Sequence, residues 1–135
     1  MSEELLRRLA DRVEIAELSA TYNRAIDDLD GKTVAALFTE DGVFDLGRGR
    51  PREGREDIER LVERIPYGTV HATTDAVISI EGDRAAQVST LLLCKRRRDR
   101  AEAGYWLSGR YHDELRRTDE GWRFCNRRAE LDLVE

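Results

Sequence analysis

The second half of the sequence contains four long runs bounded by turn or loop sequences, and the first of them is rich in threonine, valine and isoleucine. Such runs are typical of β-strands. Consecutive strands joined by short turns pair in the antiparallel sense. This half of the chain is therefore predicted to form one long antiparallel meander. The runs cover residues 69–80, 84–98, 104–117 and 122–133.

The first third of the sequence has helical periodicity instead. Apolar residues recur there at steps of three and four, which places them on one face of a helix. The helix is predicted to run from about Asp11, which Glu14 follows at the spacing of a capping box, to about Asp28. Its apolar positions are Ile15, Leu18, Tyr22, Ile26 and Leu29.

Three shorter elements are predicted between the long helix and the meander. A second, short helix has one apolar face, and a short strand covers residues 43–46. A third helix covers residues 54–65 and ends before Pro66, because proline cannot continue a helix. The apolar face of the second helix consists of Val34, Leu37 and Phe38.

Helices followed by a meander predict an α+β fold, and the whole chain, residues 1–135, is interpreted as one domain. The expected architecture is a cone-shaped α+β barrel, in which the N-terminal helices pack against a curved, mostly antiparallel sheet. The open end of such a cone is a natural ligand pocket. With 40% hydrophobic residues, the chain can bury a core of its own without disulfides.

Charge and apolar patterning disfavour several classes of function. With 23 basic and 28 acidic residues, the chain has a net charge of −5 and lacks the basic footprint of a nucleic-acid binder. The longest purely apolar run, residues 91–94, is far too short to span a membrane. Acids stand at the N-terminus where a signal peptide needs basic residues, so a cytoplasmic location is expected. No cluster has metal-ligand spacing, so no metal is expected.

Histidine is restricted to two positions, His71 and His112. With an ordinary pKa of about 6.5, histidine is the natural proton carrier near neutral pH. Any chemistry that needs an imidazole must therefore use one of these two residues.

Short segments of the chain have a recognisable order: Tyr22–Gly31, Leu37–Gly42, Gly54–Ile58, Gly109–Leu115 and Gly121–Phe124. In that order and spacing they resemble SnoaL-like proteins of the nuclear transport factor 2-like superfamily. The resemblance extends from about Leu9 to Arg128 and implies the cone-shaped fold described above. It leaves the function open, because this fold is used by enzymes, binding proteins and assembly subunits.

Within the superfamily, the sequence looks most like the branch with scytalone dehydratase, bile acid 7α-dehydratase and hexachlorocyclohexane dehydrochlorinase. Those enzymes use an aspartate late in the first long helix and a histidine at the start of the first long strand. Asp27 and His71 occupy these positions, and Tyr22 matches a tyrosine five residues before the aspartate in the bile acid dehydratase. The resemblance implies that His71 is a general base, that Asp27 orients its ring, and that Tyr22 donates a hydrogen bond to a carbonyl or departing hydroxyl.

Two other branches of the superfamily fit less well. The limonene epoxide hydrolase branch needs an aspartate two residues after a strand arginine, but His112 follows Arg110 at that spacing. The ketosteroid isomerase branch uses an aspartate as its general base. The matched family position suggests that Tyr111 faces the cavity, and strand alternation then turns His112 outward.

The same comparison suggests residues that bind the substrate. Tyr111 is expected to line the pocket, whereas Phe44 and Trp106 either shape its mouth or belong to the core. Lys95 begins a basic run and stands where scytalone dehydratase has a second histidine, although a solvated rim is the alternative reading. Each catalytic candidate also has an alternative role in packing or helix termination.

The leading hypothesis is a cofactor-independent lyase or isomerase that removes a proton from a small hydrophobic or cyclic molecule, such as a polyketide or a steroid-like compound. It predicts contact between the Asp27 and His71 side chains in a deep apolar cavity. A non-catalytic binding protein predicts the cavity without that contact, and an assembly subunit predicts a filled cavity. The family implies a homo-oligomer, with a trimer favoured over a dimer. No nucleic-acid or membrane partner is expected.

Overall fold

A computed structural model shows helices packed on one face of a single sheet. The structure describes residues 1–96 and 104–132, with the backbone alone for residues 105 and 106. The elements in chain order are α1 (Glu3–Asp27), α2 (Gly31–Ala36), β1 (Phe38–Asp45), β2 (Arg52–Glu53), α3 (Arg55–Glu63), β3 (Thr69–Glu81), β4 (Arg84–Lys95), β5 (Gly104–Thr118) and β6 (Gly121–Leu131).

The sheet has six strands in the order β2-β1-β6-β5-β4-β3. Strand β1 runs parallel to β6, and every other neighbouring pair is antiparallel. The long β3 to β6 meander curves around α1, whose apolar stripe faces the sheet. The predicted α+β architecture is therefore confirmed. Among the residues that the structure describes, no helix combines the length and apolar character that a membrane crossing requires.

Helix α1 begins eight residues earlier than the sequence predicts, at Glu3 instead of Asp11. Ser2 is the actual N-cap, and its Oγ accepts a hydrogen bond from the Leu5 backbone N–H at 3.2 Å. The first turns of α1 are exposed, so they carry no buried stripe that would reveal them in the sequence.

Asp11 ties α1 to the sheet instead of capping the helix. It is 5% exposed and accepts hydrogen bonds from Arg117 Nη1 at 2.7 Å and from Trp122 Nε1 at 3.0 Å. The hydrogen bond from Arg117 is the main reason that the pKa of Asp11 lies below its usual range. This contact holds α1 against the turn between β5 and β6.

Strand β1 is longer than the predicted strand at 43–46, because Phe38 belongs to it and not to the second helix. Helix α2 ends at Ala36, and Asp30 caps its start by accepting the Thr33 backbone N–H at 3.1 Å. Phe38 is fully buried. A buried apolar residue fits the end of a helix as well as the start of a strand, so the sequence pattern does not distinguish the two.

A β-bulge in β6 decides which of its residues face the helices. Leu115 of β5 pairs with Phe124, but Glu114 pairs with Asn126, so Cys125 is the extra residue in β6. Trp122 and Phe124 face inward before the bulge. After it, the inward positions are Arg127 and Ala129, both buried.

Candidate functional site

The cone has an open cavity of about 560 Å³ between α1 and the inner face of the sheet. Its volume is within the range of small-molecule sites in proteins. Most of its wall is apolar. The polar groups of Tyr22, Tyr111 and His71 lie among the apolar side chains, and further polar and charged residues line the cavity as well. The apolar wall includes Ile26, Leu46, Ile65, Leu91, Leu93 and Leu107.

Asp27 and His71 meet at the wall of this cavity. Asp27 is the last residue of α1, and His71 lies near the start of β3. The Asp27 Oδ1 atom is 2.7 Å from His71 Nδ1 and also accepts the His71 backbone N–H at 2.9 Å. Both side chains are nearly buried, with 10% and 9% of their surfaces exposed. One carboxylate oxygen therefore holds both the backbone and the ring of His71.

A second hydrogen bond sets the register between the helix and the strand. Asn23, one helical turn before Asp27, donates from Nδ2 to Thr73 Oγ1 at 2.9 Å. Four helical residues advance by about 6 Å and two strand residues by about 7 Å. Because these distances nearly match, the contact at Asn23 brings Asp27 level with His71.

The hydrogen bonds at Asp27 also determine which nitrogen of His71 is basic. A carboxylate accepts hydrogen bonds, so Nδ1 carries the hydrogen and Nε2 keeps the lone pair. Burial lowers the pKa of His71, and the hydrogen bond to Asp27 offsets only part of this effect. The ring is therefore neutral at pH 7, with Nε2 free to accept a proton.

Tyr22 and Tyr111 form a pair of hydroxyl groups in the same cavity. Their hydroxyl oxygens are 3.3 Å apart, and the two side chains are almost fully buried. Burial is the main cause of a raised pKa in both tyrosines, most strongly in Tyr22. Both hydroxyls are therefore protonated near neutral pH. Since only one hydrogen is used between them, the other is left to donate to a ligand.

Beneath the two tyrosines lies a buried charge that the sequence analysis missed. Arg127 is fully buried, and its guanidinium carbon lies 4.3 Å from the centre of the Tyr22 ring and 3.9 Å from that of Tyr111. Its Nε and Nη2 donate to the two carboxylate oxygens of Asp113 at 2.8 and 2.9 Å. Gln87 Nε2 donates to Asp113 Oδ2 at 2.9 Å. Together these groups form a rigid polar base under the tyrosines.

Arg127 stays charged in this apolar setting. Burial alone would lower its pKa, but the charge and the hydrogen bonds of Asp113 raise the pKa above its ordinary value. The same positive charge opposes the rise in the pKa of both tyrosines. Asp113 opposes this effect, but its influence on the pKa of each tyrosine is smaller than that of Arg127, so the pair as a whole favours negative charge at the two hydroxyls.

The predicted substrate-binding residues have different positions. Tyr111 and Lys95 line the cavity. Phe44 does not: it is fully buried in the core, where its ring stacks on Phe38 at 5.6 Å and meets the edge of Tyr22 at 5.9 Å. Of the two roles suggested for Phe44, the structure supports the place in the core and not the place at the mouth, because β1 puts this ring behind Tyr22. The Trp106 side chain lies outside the described residues.

His112 lies on the other side of the sheet from the cavity. Its neighbours Tyr111 and Asp113 face inward, and its own side chain is 30% exposed, with Nε2 3.8 Å from Glu130 Oε1.

In residues 1–96 and 104–132, no group of three or more His, Cys, Asp or Glu side chains could hold a metal ion.

Solved structures resemble this chain over most of its length. A protein of unknown function from Mycobacterium tuberculosis is 29% identical over 96% of this chain and 76% of that chain, with a TM-score of 0.86. An NTF2-like protein with a cystatin-like fold from Novosphingobium aromaticivorans is 28% identical over 95% and 86%, with a TM-score of 0.87. A candidate scytalone dehydratase from the same organism is 23% identical over 93% and 87%, with a TM-score of 0.81, which shows the fold alone.

No curated protein sequence matches this chain significantly. The family model described as the SnoaL-like domain matches residues 7–128. This range contains most of α1 and nearly all of the sheet that surrounds the cavity. The chain belongs to the SnoaL-like family of the NTF2-like superfamily.

Proposed function

We propose that this protein is a cofactor-independent lyase or isomerase that removes a proton from carbon in a small, mostly apolar cyclic substrate. The observation that carries the proposal is the 2.7 Å contact between Asp27 Oδ1 and His71 Nδ1 at the wall of an apolar cavity. A binding protein needs the cavity but not this contact.

His71 Nε2 acts as the general base in the proposed reaction. It takes a proton from a carbon atom next to an electron-withdrawing group such as a carbonyl. The Asp27 carboxylate holds the ring in place and stabilises the imidazolium that forms. A positioned base of this kind contributes a rate gain of about 10²–10⁴.

The tyrosine pair stabilises the negative charge that develops on the substrate. A hydroxyl of Tyr22 or Tyr111 donates to the carbonyl oxygen, and the positive charge of Arg127 lies below both rings. In an elimination, the C–H electron pair forms the new double bond as the C–O bond breaks. The departing hydroxyl takes the proton from His71 and leaves as water, which returns the imidazole to its neutral form.

The test is deuterium exchange at carbon, which detects proton removal even where no product accumulates. Cyclic enones and cyclic β-hydroxy ketones are incubated with the protein in D₂O, and the loss of carbon-bound hydrogen is followed by proton NMR. We expect exchange at the position next to the carbonyl, faster than in buffer, for at least one member of the set. Binding of these compounds without exchange would support a binding protein instead.

The exchange rate is expected to fall on the acid side, because a protonated His71 cannot accept another proton. Burial lowers the pKa of this ring, so kcat/KM should stay level down to about pH 6.5 and decrease below it. No loss is expected up to about pH 10, since the buried tyrosines stay protonated there. A pH profile whose acid midpoint lies above 6.5 would contradict a buried histidine base.

We also propose that the protein self-associates, with a trimer favoured over a dimer and the cytoplasm as its compartment. Support for association comes from large apolar side chains that the isolated chain leaves exposed on α1, including Leu5, Leu9 and Val13. Sedimentation equilibrium is expected to give a mass of about three chains of 15.5 kDa. A mass of one chain at micromolar concentration would contradict association.

A further inference from the structure

The mouth of the cavity carries positively charged side chains, whereas most of the interior is apolar. Arg48, Lys95 and Arg96, together called the cationic rim, contribute to its lining, and all three are exposed. The described residues that line the cavity include no aspartate or glutamate, and Asp27 lies behind the ring of His71, which it contacts at 2.7 Å. The cations at the mouth contrast with the net charge of −5 of the whole chain.

Strand alternation places Lys95 on the cavity side of the sheet. In β4, the inward residues include Ser89, Leu91 and Leu93, which are buried. Lys95 follows Leu93 at the next inward position, where β4 ends at the open end of the cone. Its exposure therefore comes from its place at the mouth, where the strand ends.

Arg96 is held at the same edge by the loop before β3. Its backbone N–H donates to the Gly68 carbonyl at 2.6 Å, and its Nη1 donates to the Tyr67 hydroxyl at 3.3 Å. The guanidinium carbon lies 5.8 Å from the centre of the Tyr67 ring, within the range of a cation–π contact. Tyr67 and Gly68 also line the cavity, so Arg96 is anchored to its margin.

Arg48 approaches the mouth from the opposite side. The loop that carries it is fixed against β6, because Gly47 packs so closely that an added Cβ would lie 2.6 Å from the Ala129 carbonyl oxygen. Strand β5 lies between β6 and β4, which separates the two parts of the cationic rim by about 10 Å. The positive charges therefore flank the opening instead of lying together on one edge.

We infer that the cavity binds an amphipathic carboxylate, with an apolar cyclic body inside and its carboxylate at the cationic rim. The inference builds on the proposed function, because it names the class of substrate for the same site. His71 pairs with Leu93 and Thr69 pairs with Lys95, so the rim lies two strand residues beyond the base. The carboxylate is then about 7 Å or more from the carbon that loses its proton.

The expected gain in affinity is moderate, because exposed charges attract an anion through water. Three cations around one mouth should favour the charged ligand by about tenfold at low salt. The preference should weaken at 0.5 M NaCl, where screening shortens the reach of each charge.

The experiment compares each acid with its own primary amide, which has the same size but no charge. The probes are 2-naphthylacetic acid and 1-pyrenebutanoic acid, and binding is measured by isothermal titration calorimetry or by fluorescence at low salt. The test variant is the triple substitution Arg48→Gln, Lys95→Gln and Arg96→Gln. The matched control is Arg110→Gln, an exposed arginine on the outer face of β5.

The wild-type protein is expected to bind at least one acid about tenfold more tightly than its amide. The triple variant should lose this preference and keep its affinity for the amide, while Arg110→Gln keeps both. Equal binding of acid and amide, binding of neither, or a preference that survives in the triple variant would overturn the inference.

These outcomes separate the inference from the proposed function, because the binding assay involves no turnover. An acid preference without carbon exchange would leave the cationic rim established and the lyase proposal wrong. Exchange on neutral ketones without any preference for the acid would support the lyase proposal and overturn the inference about the cationic rim.

Discussion

Replacement of His71 by glutamine is expected to lower kcat/KM for proton removal by at least about a hundredfold at neutral pH. Glutamine can still donate an amide hydrogen toward Asp27, and the backbone N–H of residue 71 keeps its 2.9 Å contact with Asp27 Oδ1. The variant thus preserves much of the local structure but has no basic nitrogen. The rate is measured on a substrate found by deuterium exchange.

His112→Gln is the matched control for this prediction, because His112 is the other histidine of the chain and lies on the outer face of the sheet. Its rate should stay within about twofold of the wild-type value, since only groups at the cavity touch the substrate. Thermal unfolding followed by circular dichroism verifies that both variants fold. A His71→Gln protein that keeps nearly the wild-type rate would remove His71 as the base.

Arg127→Met is expected to lower the free energy of unfolding by about 3–5 kcal/mol, as removal of one partner from a buried ion pair does. The substitution leaves the Asp113 carboxylate buried without the guanidinium that pairs with it, and both carboxylate oxygens lose a hydrogen bond of 2.8 or 2.9 Å. Among the side chains that the structure describes, Gln87 Nε2 alone would then donate to this carboxylate. Urea unfolding at neutral pH measures the change.

Arg128→Met tests whether any arginine of β6 would show the same effect. Arg128 is 46% exposed, and its Nη1 lies 3.8 Å from Glu130 Oε2. Its loss should change the free energy of unfolding by no more than about 0.5 kcal/mol.

The double variant Asp113→Leu and Arg127→Met should recover part of the stability that Arg127→Met loses, because no unpaired charge stays buried. A loss below about 1 kcal/mol in Arg127→Met would contradict a strongly coupled pair.

Periodicity predicts the helix that carries Tyr22 and Asp27 because the buried stripe of α1 repeats every three or four residues. It fails at the start of α1, where residues 3–10 are exposed and Ser2 supplies the cap. Exposed helical turns leave no apolar pattern. In the sequence, the acids that begin this helix therefore indicate only that a signal peptide is absent from the predicted features.

The buried arginine is the clearest case of a residue that local patterns hide. Strict alternation from Trp122 and Phe124 places Asn126 and Arg128 inside and Arg127 outside. The bulge at Cys125 inverts this phase, so Arg127 faces Asp113 across the strand pair. A single extra residue in β6 thus decides which arginine lies beneath the tyrosines, and nothing in the run of residues marks it.

Sequence patterns alone determined the α+β class, the long helix and the antiparallel meander, because burial on one face repeats with the period of each element. The resemblance to SnoaL-like proteins added Asp27 and His71 as a pair. The tertiary structure decided that these residues touch, that Phe44 lies in the core and that Arg127 lies under the cavity. Those facts depend on how α1 lies against β3 and on one bulge in β6. Local patterns cannot predict them, because distances between segments far apart in the chain are set only when the whole sheet closes around the helix.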